Sequence, residues 1–204
     1  MTFEAIYGSP WHNPGATLVS LALVLWLLSR KLPFFTAWSV LFLCEITLDA
    51  LLTGELSPWR NTATVGYVAI PFVILGDMRY FALVERFTRA PDPAASTPPR
   101  AIAIALAQSL PVPLLSIGLT KLLPHLLPDV RSLFLMYEVE FLLVALAWRF
   151  WYLPPRLSKL PAETARWLRE LTVFEAVQYL LWAAADVVIL LHHDIGFALR
   201  IVPN

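Results

Sequence analysis

The sequence has little charge. Only 15% of its 204 residues are Asp, Glu, Lys or Arg, against roughly a quarter in a soluble globular domain. The charges it has balance to a formal net charge of zero, which removes any global case for nucleic acid as a partner. Cysteine is nearly missing. Cys44 alone excludes an intrachain disulfide framework and a Cys-rich metal site, and it reads as a small apolar packing residue. Met1 to Gly15 holds no Lys or Arg, so the positive n-region of a secretory signal is lacking. The first apolar segment is therefore expected to stay in the mature protein.

Other absences narrow the chemistry. Lys31, Lys121 and Lys159 all read as loop residues, which excludes a retinal-type Schiff base inside a span. His12, His125, His192 and His193 fall at or beyond span ends, with no HxxxH or HExxH, so zinc or di-metal chemistry lacks its usual ligands. There is no DDxxD-like run for magnesium, no Gly-rich phosphate loop and no Ser or Cys placed near a His as a nucleophile. No metal site and no cofactor are expected.

What remains is apolar. Hydrophobic residues make up 58% of the chain and fall in long blocks, the pattern of a polytopic membrane protein. The fold expected is an all-α membrane bundle of about six transmembrane helices, forming one domain over residues 1–204. Spans are read at Ala16–Ser29, Phe34–Thr53, Val65–Phe87, Ala101–Leu123, Leu133–Leu153 and Glu170–His193. Pro111 and Pro113 should kink or unwind the fourth. Residues 88–100, TRAPDPAASTPPR, read as an extended Pro-rich linker. Residues 154–170 carry too much charge to cross a bilayer and read as an interfacial extension of the last helix, with Pro161 at its first position and Glu163, Arg166 and Glu170 at ion-pair spacing.

Basic residues set the orientation. Arg30, Lys31, Arg86, Arg89, Arg100, Arg149, Arg156, Lys159, Arg166 and Arg169 follow the odd-numbered spans. Only Arg60, Lys121, Arg131 and Arg200 lie on the other side. The first set, with the linker and the 154–170 segment, is expected in the cytoplasm and both termini outside. In a bacterium this would be the inner membrane.

The last span carries a polar stripe. Glu175, Gln178, Tyr179, Trp182 and Asp186 recur at i, i+3, i+4, i+7 and i+11, one face of a helix. Such a stripe must face protein or a cavity, because lipid cannot satisfy it. Counting depth along each helix places Glu45, Asp49, Glu138 and Asp186 in the outer half of the bilayer, with Asp77 near the middle of its span and Tyr80 on its face. Glu175 lies deeper. Asp77 and Arg79 stand about 200° apart on their helix, so Arg79 should turn to an acid on another helix and act as a counter-ion. Glu138 and Glu140 diverge by the same angle, so at most one enters any single cavity. Tyr179 and Trp182 offer ring faces that stabilise a cation in a dry pocket.

The stretches LFLCEITLDALL, VAIPFVILGDMRYF and LLWAAADVVILL resemble those around the acids of the small integral-membrane terpene cyclases of meroterpenoid and indole-diterpene pathways. That family is all-helical with seven spans, one more than read here, and Cys44 stands where its aromatic precedes the Glu. The resemblance implies cyclisation of a prenyl substrate begun by protonating an epoxide or alkene, without a metal or organic cofactor. Glu45 and Asp186 would be the acid pair and Asp77 a supporting acid. Asp49, Tyr80, Glu138, Tyr179 and Trp182 would line the site, with Arg79 as counter-ion. Partners would be a lipophilic prenyl molecule and membrane lipid; the oligomeric state is left open. Two other readings stay open: a proton- or cation-coupled carrier built as a 3+3 inverted repeat, and a structural membrane subunit.

Overall fold

Helices here start where proline or a turn removes a backbone donor and stop where the apolar runs end. The computed structural model describes residues 2–9, 12–30, 33–54, 57–59, 62, 64–92, 97–123, 125 and 130–203. Trp11, Lys31 and Arg60 lie outside the described residues. Every regular element among those described is helical: α1 (Phe3–Tyr7), α2 (His12–Ser29), α3 (Pro33–Thr53), α4 (Thr64–Arg89), α5 (Pro99–Ser109), α6 (Pro111–Leu122), α7 (Val130–Ala147), a π-helical turn (Trp148–Tyr152), α8 (Pro154–Leu157), α9 (Ala162–Leu190) and α10 (Ile195–Ile201). The all-α class expected from the sequence is the class observed.

Four stretches among the described residues are long and apolar enough to cross a membrane: Phe34–Thr53, Tyr67–Arg89, Pro99–Leu119 and Ala162–Leu190. They fall on the second, third, fourth and sixth expected spans. The fifth falls on α7 and the π turn, where Arg131, Glu138 and Glu140 interrupt the apolar run. Large apolar side chains stand exposed along α2, α3, α7 and α9, among them Leu25, Leu41, Leu143, Phe174 and Leu180. A surface of that kind suits lipid and not water.

The proline break in the fourth span is a kink. Leu110 keeps right-handed helical angles (φ −76°, ψ −38°), and the Leu114 amide still donates to its carbonyl at 3.1 Å. Pro111 and Pro113 remove two donors from the ladder, which is why α5 and α6 separate there. Of the 88–100 linker, Thr88 and Arg89 instead finish α4, Pro99 and Arg100 open α5, and residues 93–96 lie outside the described residues. Within 154–170, α8 holds Pro154–Leu157 and α9 begins at Ala162, so the charged segment is continuous with the last span only from Ala162 onward, in one 29-residue helix. Pro161 is its N-cap, one position earlier than expected, with extended angles (φ −53°, ψ 142°).

The chain sorts into two compact units, residues 5–76 and residues 2–4 with 77–204. In the first, α2 packs on α3, with Val24, Leu27 and Thr36 buried. Phe34, Trp38 and Phe42 follow one another along α3 at i+4 spacing, with ring centroids 6.0 and 4.8 Å apart. In the second, α7 packs on α9, α6 on α7 and α10 on α9. α4 meets α7, α9 and the π turn through large side chains: Phe81 lies 5.6 Å from Phe141 and 4.6 Å from Trp148, and Phe87 lies 4.9 Å from Trp167.

α10 was not anticipated. α9 ends in a left-handed residue, His192 (φ 62°), and the His193 amide donates back to the Val188 carbonyl at 3.1 Å. This reverses the chain in the manner of a Schellman cap. The carboxylate of Asp194, at the corner, accepts the backbone amides of Phe3 (2.8 Å) and Glu4 (3.0 Å), the free donors at the start of α1. The return is tight at Gly196. A Cβ there would stand 2.6 Å from Ile189 Cγ1, 2.8 Å from the Ile189 nitrogen and 3.0 Å from the Ala185 oxygen. Backbone atoms cannot yield to it, so Gly196→Val should lift α10 from α9 and cost about 1–3 kcal/mol. Limited proteolysis in detergent checks this: cleavage near residue 195 should be faster than in the wild type.

Candidate functional site

Asp77, Tyr80, Phe81, Val84 and Glu85 are buried and recur at i, i+3, i+4, i+7 and i+8, one face of α4 within the second unit. Asp77, only 2% exposed, accepts the Tyr179 hydroxyl of α9 on Oδ1 at 2.8 Å, and the same oxygen accepts the Tyr137 hydroxyl of α7. Its other oxygen, Oδ2, is buried with no hydrogen-bond partner among the described residues. Oε2 of Glu138 and Oδ2 of Asp186 are buried without a partner among the described residues as well, and leaving such atoms unpaired is costly.

Aromatic rings surround this carboxyl group. Phe141 stacks on Tyr179 with centroids 4.4 Å apart, and Trp182 meets the same ring edge-on at 5.2 Å. Tyr137 lies 6.3 Å from Tyr179. Phe81, Tyr80 and Trp148 extend the wall. The Tyr80 hydroxyl donates to Thr172 Oγ1 at 3.0 Å, and Thr172 in turn to the Leu168 carbonyl at 2.8 Å. Arg79 lies within electrostatic reach of both Asp77 and Glu175.

A second constellation joins α7, α9 and α10. Nη1 of Arg200 lies 2.6 Å from Glu138 Oε1 and 2.6 Å from Asp186 Oδ1, and Nη1 of Arg131 lies 3.1 Å from the same Asp186 oxygen. Two carboxylates and two guanidiniums thus balance in a quartet in which Glu138, Asp186 and Arg200 are buried and Arg131 is half-buried. Phe134 receives both cations over its ring, at 5.8 Å from Arg131 and 5.7 Å from Arg200. Arg131 and Arg200 were expected as loop charges; they are instead the cations of the acids. The spacing of seven between Arg131 and Glu138 puts both on one face of α7 and was a usable signal. Arg200 carried none, because it arrives on a helix folded back after the last span.

A third cluster was also missed. Fully buried Glu85 accepts Arg89 Nη2 at 2.7 Å and Nε at 3.0 Å, Gln108 Nε2 at 3.3 Å and the Tyr152 hydroxyl. Arg86 spends its charge on the carbonyls of Ala90 and Asp92, closing the end of α4. These groups tie α4, α5 and the π turn together.

The structure therefore distributes the expected site residues. Asp77, Tyr80, Tyr179 and Trp182 share the carboxyl–aromatic site; Glu138 and Asp186 share the ion quartet. Glu140 turns away and accepts the Ser116 hydroxyl at 2.7 Å. Glu45 and Asp49 belong to the first unit, where Asp49 Oδ1 accepts the Thr53 hydroxyl at 2.7 Å. The polar stripe of α9 is split among partners: Gln178 donates to the Pro203 carbonyl at 3.2 Å. Among the described residues, no three His, Cys, Asp or Glu side chains converge as a metal site would require.

Tyr179→Phe removes one of the two donors to Asp77 and should destabilise the protein by about 1–3 kcal/mol. Tyr137→Phe should do likewise, and the double change should cost a sum different from its parts by at least about 0.5 kcal/mol, measured by denaturation in detergent. Arg200→Met leaves Glu138 and Asp186 short of a cation and should cost about 3–5 kcal/mol, with much of the loss recovered when Glu138→Gln is added. Comparison of the chain with protein-family models, characterised proteins and solved structures finds no match.

Proposed function

We propose that the chain is a multi-pass membrane protein of about six spans, with both termini on the non-cytoplasmic side, that cyclises a prenyl or terpenoid substrate by acid initiation. The count takes α2, α3, α4, α5 with α6, α7 and α9 as the spans, and α10 as a helix folded back at the membrane surface. The basic residues after the odd spans support the orientation.

One observation carries the reaction: the unpartnered Oδ2 of Asp77, buried against the rings of Tyr137, Phe141 and Tyr179. In the step proposed, the carboxyl proton passes from Asp77 to an epoxide oxygen or a terminal alkene carbon of the substrate. The C–O bond opens, or the alkene π bond is consumed, and a carbocation forms. The next alkene attacks it and closes a ring. Loss of a proton from the final cation to a base restores the balance, so the reaction is an isomerisation. Tyr137 and Tyr179 hold the carboxyl group, and aromatic faces shelter the cation. The Asp186 quartet is a positioning element. Asp77 thus takes the donor's part, which the resemblance gives to Glu45 and Asp186.

A carrier is the second reading. It is favoured by the ion pairs among Arg131, Arg200, Glu138 and Asp186, a feature of ion pathways in membranes, and by the broken helix at Pro111.

The test is conversion of epoxidised and unmodified prenyl substrates by membranes containing the protein. Asp77→Asn should lower turnover by about 10²–10⁴-fold, and Glu45→Gln assays separately the role the resemblance gives Glu45. No product from any prenyl substrate, with proton flux in vesicles abolished by Asp186→Asn, would replace the cyclase by the carrier.

A further inference from the structure

The outer surface of α9 carries a stripe that the buried site does not use. Arg166, Arg169, Val173 and Val177 recur at i, i+3, i+7 and i+11, and with Phe174 and Arg149 of the π turn they line an open groove of about 540 Å³. The groove is divided along its length. Three arginines, Arg149, Arg166 and Arg169, border its upper end with one carboxylate, Glu170, whose nearest approach to Arg166 is 3.9 Å. That contact is loose and exposed, so most of the positive charge is available. Below it the floor is apolar: Val173, Phe174 and Val177 are 48%, 63% and 46% exposed.

From Arg166 to Val177 the stripe covers about 16 Å of helix. A soluble anion would have no use for the apolar floor, and bare hydrocarbon would have no use for the arginines. A molecule with an anionic head and an acyl chain uses both. The apolar part belongs to a stretch long enough to cross a membrane, Ala162–Leu190, so the change from charge to hydrocarbon falls where a bilayer makes the same change. Trp151, on the π turn beside Arg149, is 75% exposed, as an interfacial tryptophan would be.

We infer that this groove binds an anionic phospholipid, its phosphate between Arg149, Arg166 and Arg169 and one acyl chain along Val173, Phe174 and Val177. Planar guanidiniums bind phosphate oxygens in pairs, and basic pockets at the cytoplasmic ends of helices are a recurring form of lipid recognition. The inference rests on the membrane placement of α9, but not on the reaction assigned to Asp77.

The experiment reconstitutes the full chain in phosphatidylcholine nanodiscs doped with phosphatidylglycerol and counts each lipid retained by native mass spectrometry. Phosphatidylglycerol should be retained preferentially. Arg166→Gln and Arg169→Gln should each lower that preference about fivefold, while Arg100→Gln, outside the groove, should leave it unchanged. Equal retention of the two lipids, an unchanged preference in the double variant, or displacement of the bound lipid by inorganic phosphate alone would overturn the lipid site. Extraction of the wild-type protein from membranes by alkaline carbonate would overturn the membrane placement with it, which separates the two failures.

Discussion

A buried carboxyl group in an apolar helix must find a donor on another helix, and the second unit is arranged by that constraint. Water is not at hand to satisfy it and neighbouring residues of the same helix seldom reach. Asp77 is met by tyrosines from α7 and α9. Glu138 and Asp186 are met by Arg200 from α10. Glu85 is met by Tyr152 and Gln108 as well as by Arg89 of its own helix. Each acid fixes the rotation of its helix, because turning by one residue would leave a charge or a hydroxyl unpaired. Apolar packing between helices is permissive by comparison.

The four acids are satisfied differently. Asp186 and Glu138 are neutralised by guanidiniums, and Glu85 by a guanidinium and two neutral donors. Asp77 receives only hydroxyls, both on one oxygen, with the other left open. Glu138 Oε2 and Asp186 Oδ2 are also buried without a hydrogen-bond partner among the described residues, so what sets Asp77 apart is that hydroxyls alone, and no guanidinium, donate to it. The rings of Tyr137, Phe141 and Tyr179 close around it.

Much of this was legible in the residues. Apolar blocks located the helices, Pro111 located the kink, and i, i+3, i+4 spacing put Asp77 with Tyr80 and Phe81. Of the stripe on the last span, Tyr179 and Asp186 are buried while Glu175, Gln178 and Trp182 are half-buried, and the stripe could not announce that Tyr179 and Asp186 serve different partners. Separation along one helix does not say which neighbour lies opposite. Arg200 was hidden for a related reason: a charge beyond a span end looks like a loop charge until a returning helix carries it inward. Glu85 was hidden because Arg86 and Arg89 beside it gave that stretch the look of a solvated end.

The most direct measurement is photolabelling of the membrane-embedded protein with a diazirine-bearing prenyl alcohol, followed by mapping of the labelled peptides. A prenyl site at Asp77 should give labels on Tyr80, Phe81, Phe141, Tyr179 or Trp182 that an excess of unlabelled prenyl alcohol suppresses. Labels confined to outward-facing side chains such as Leu143, Phe174 and Leu180, and unaffected by competitor, would contradict it.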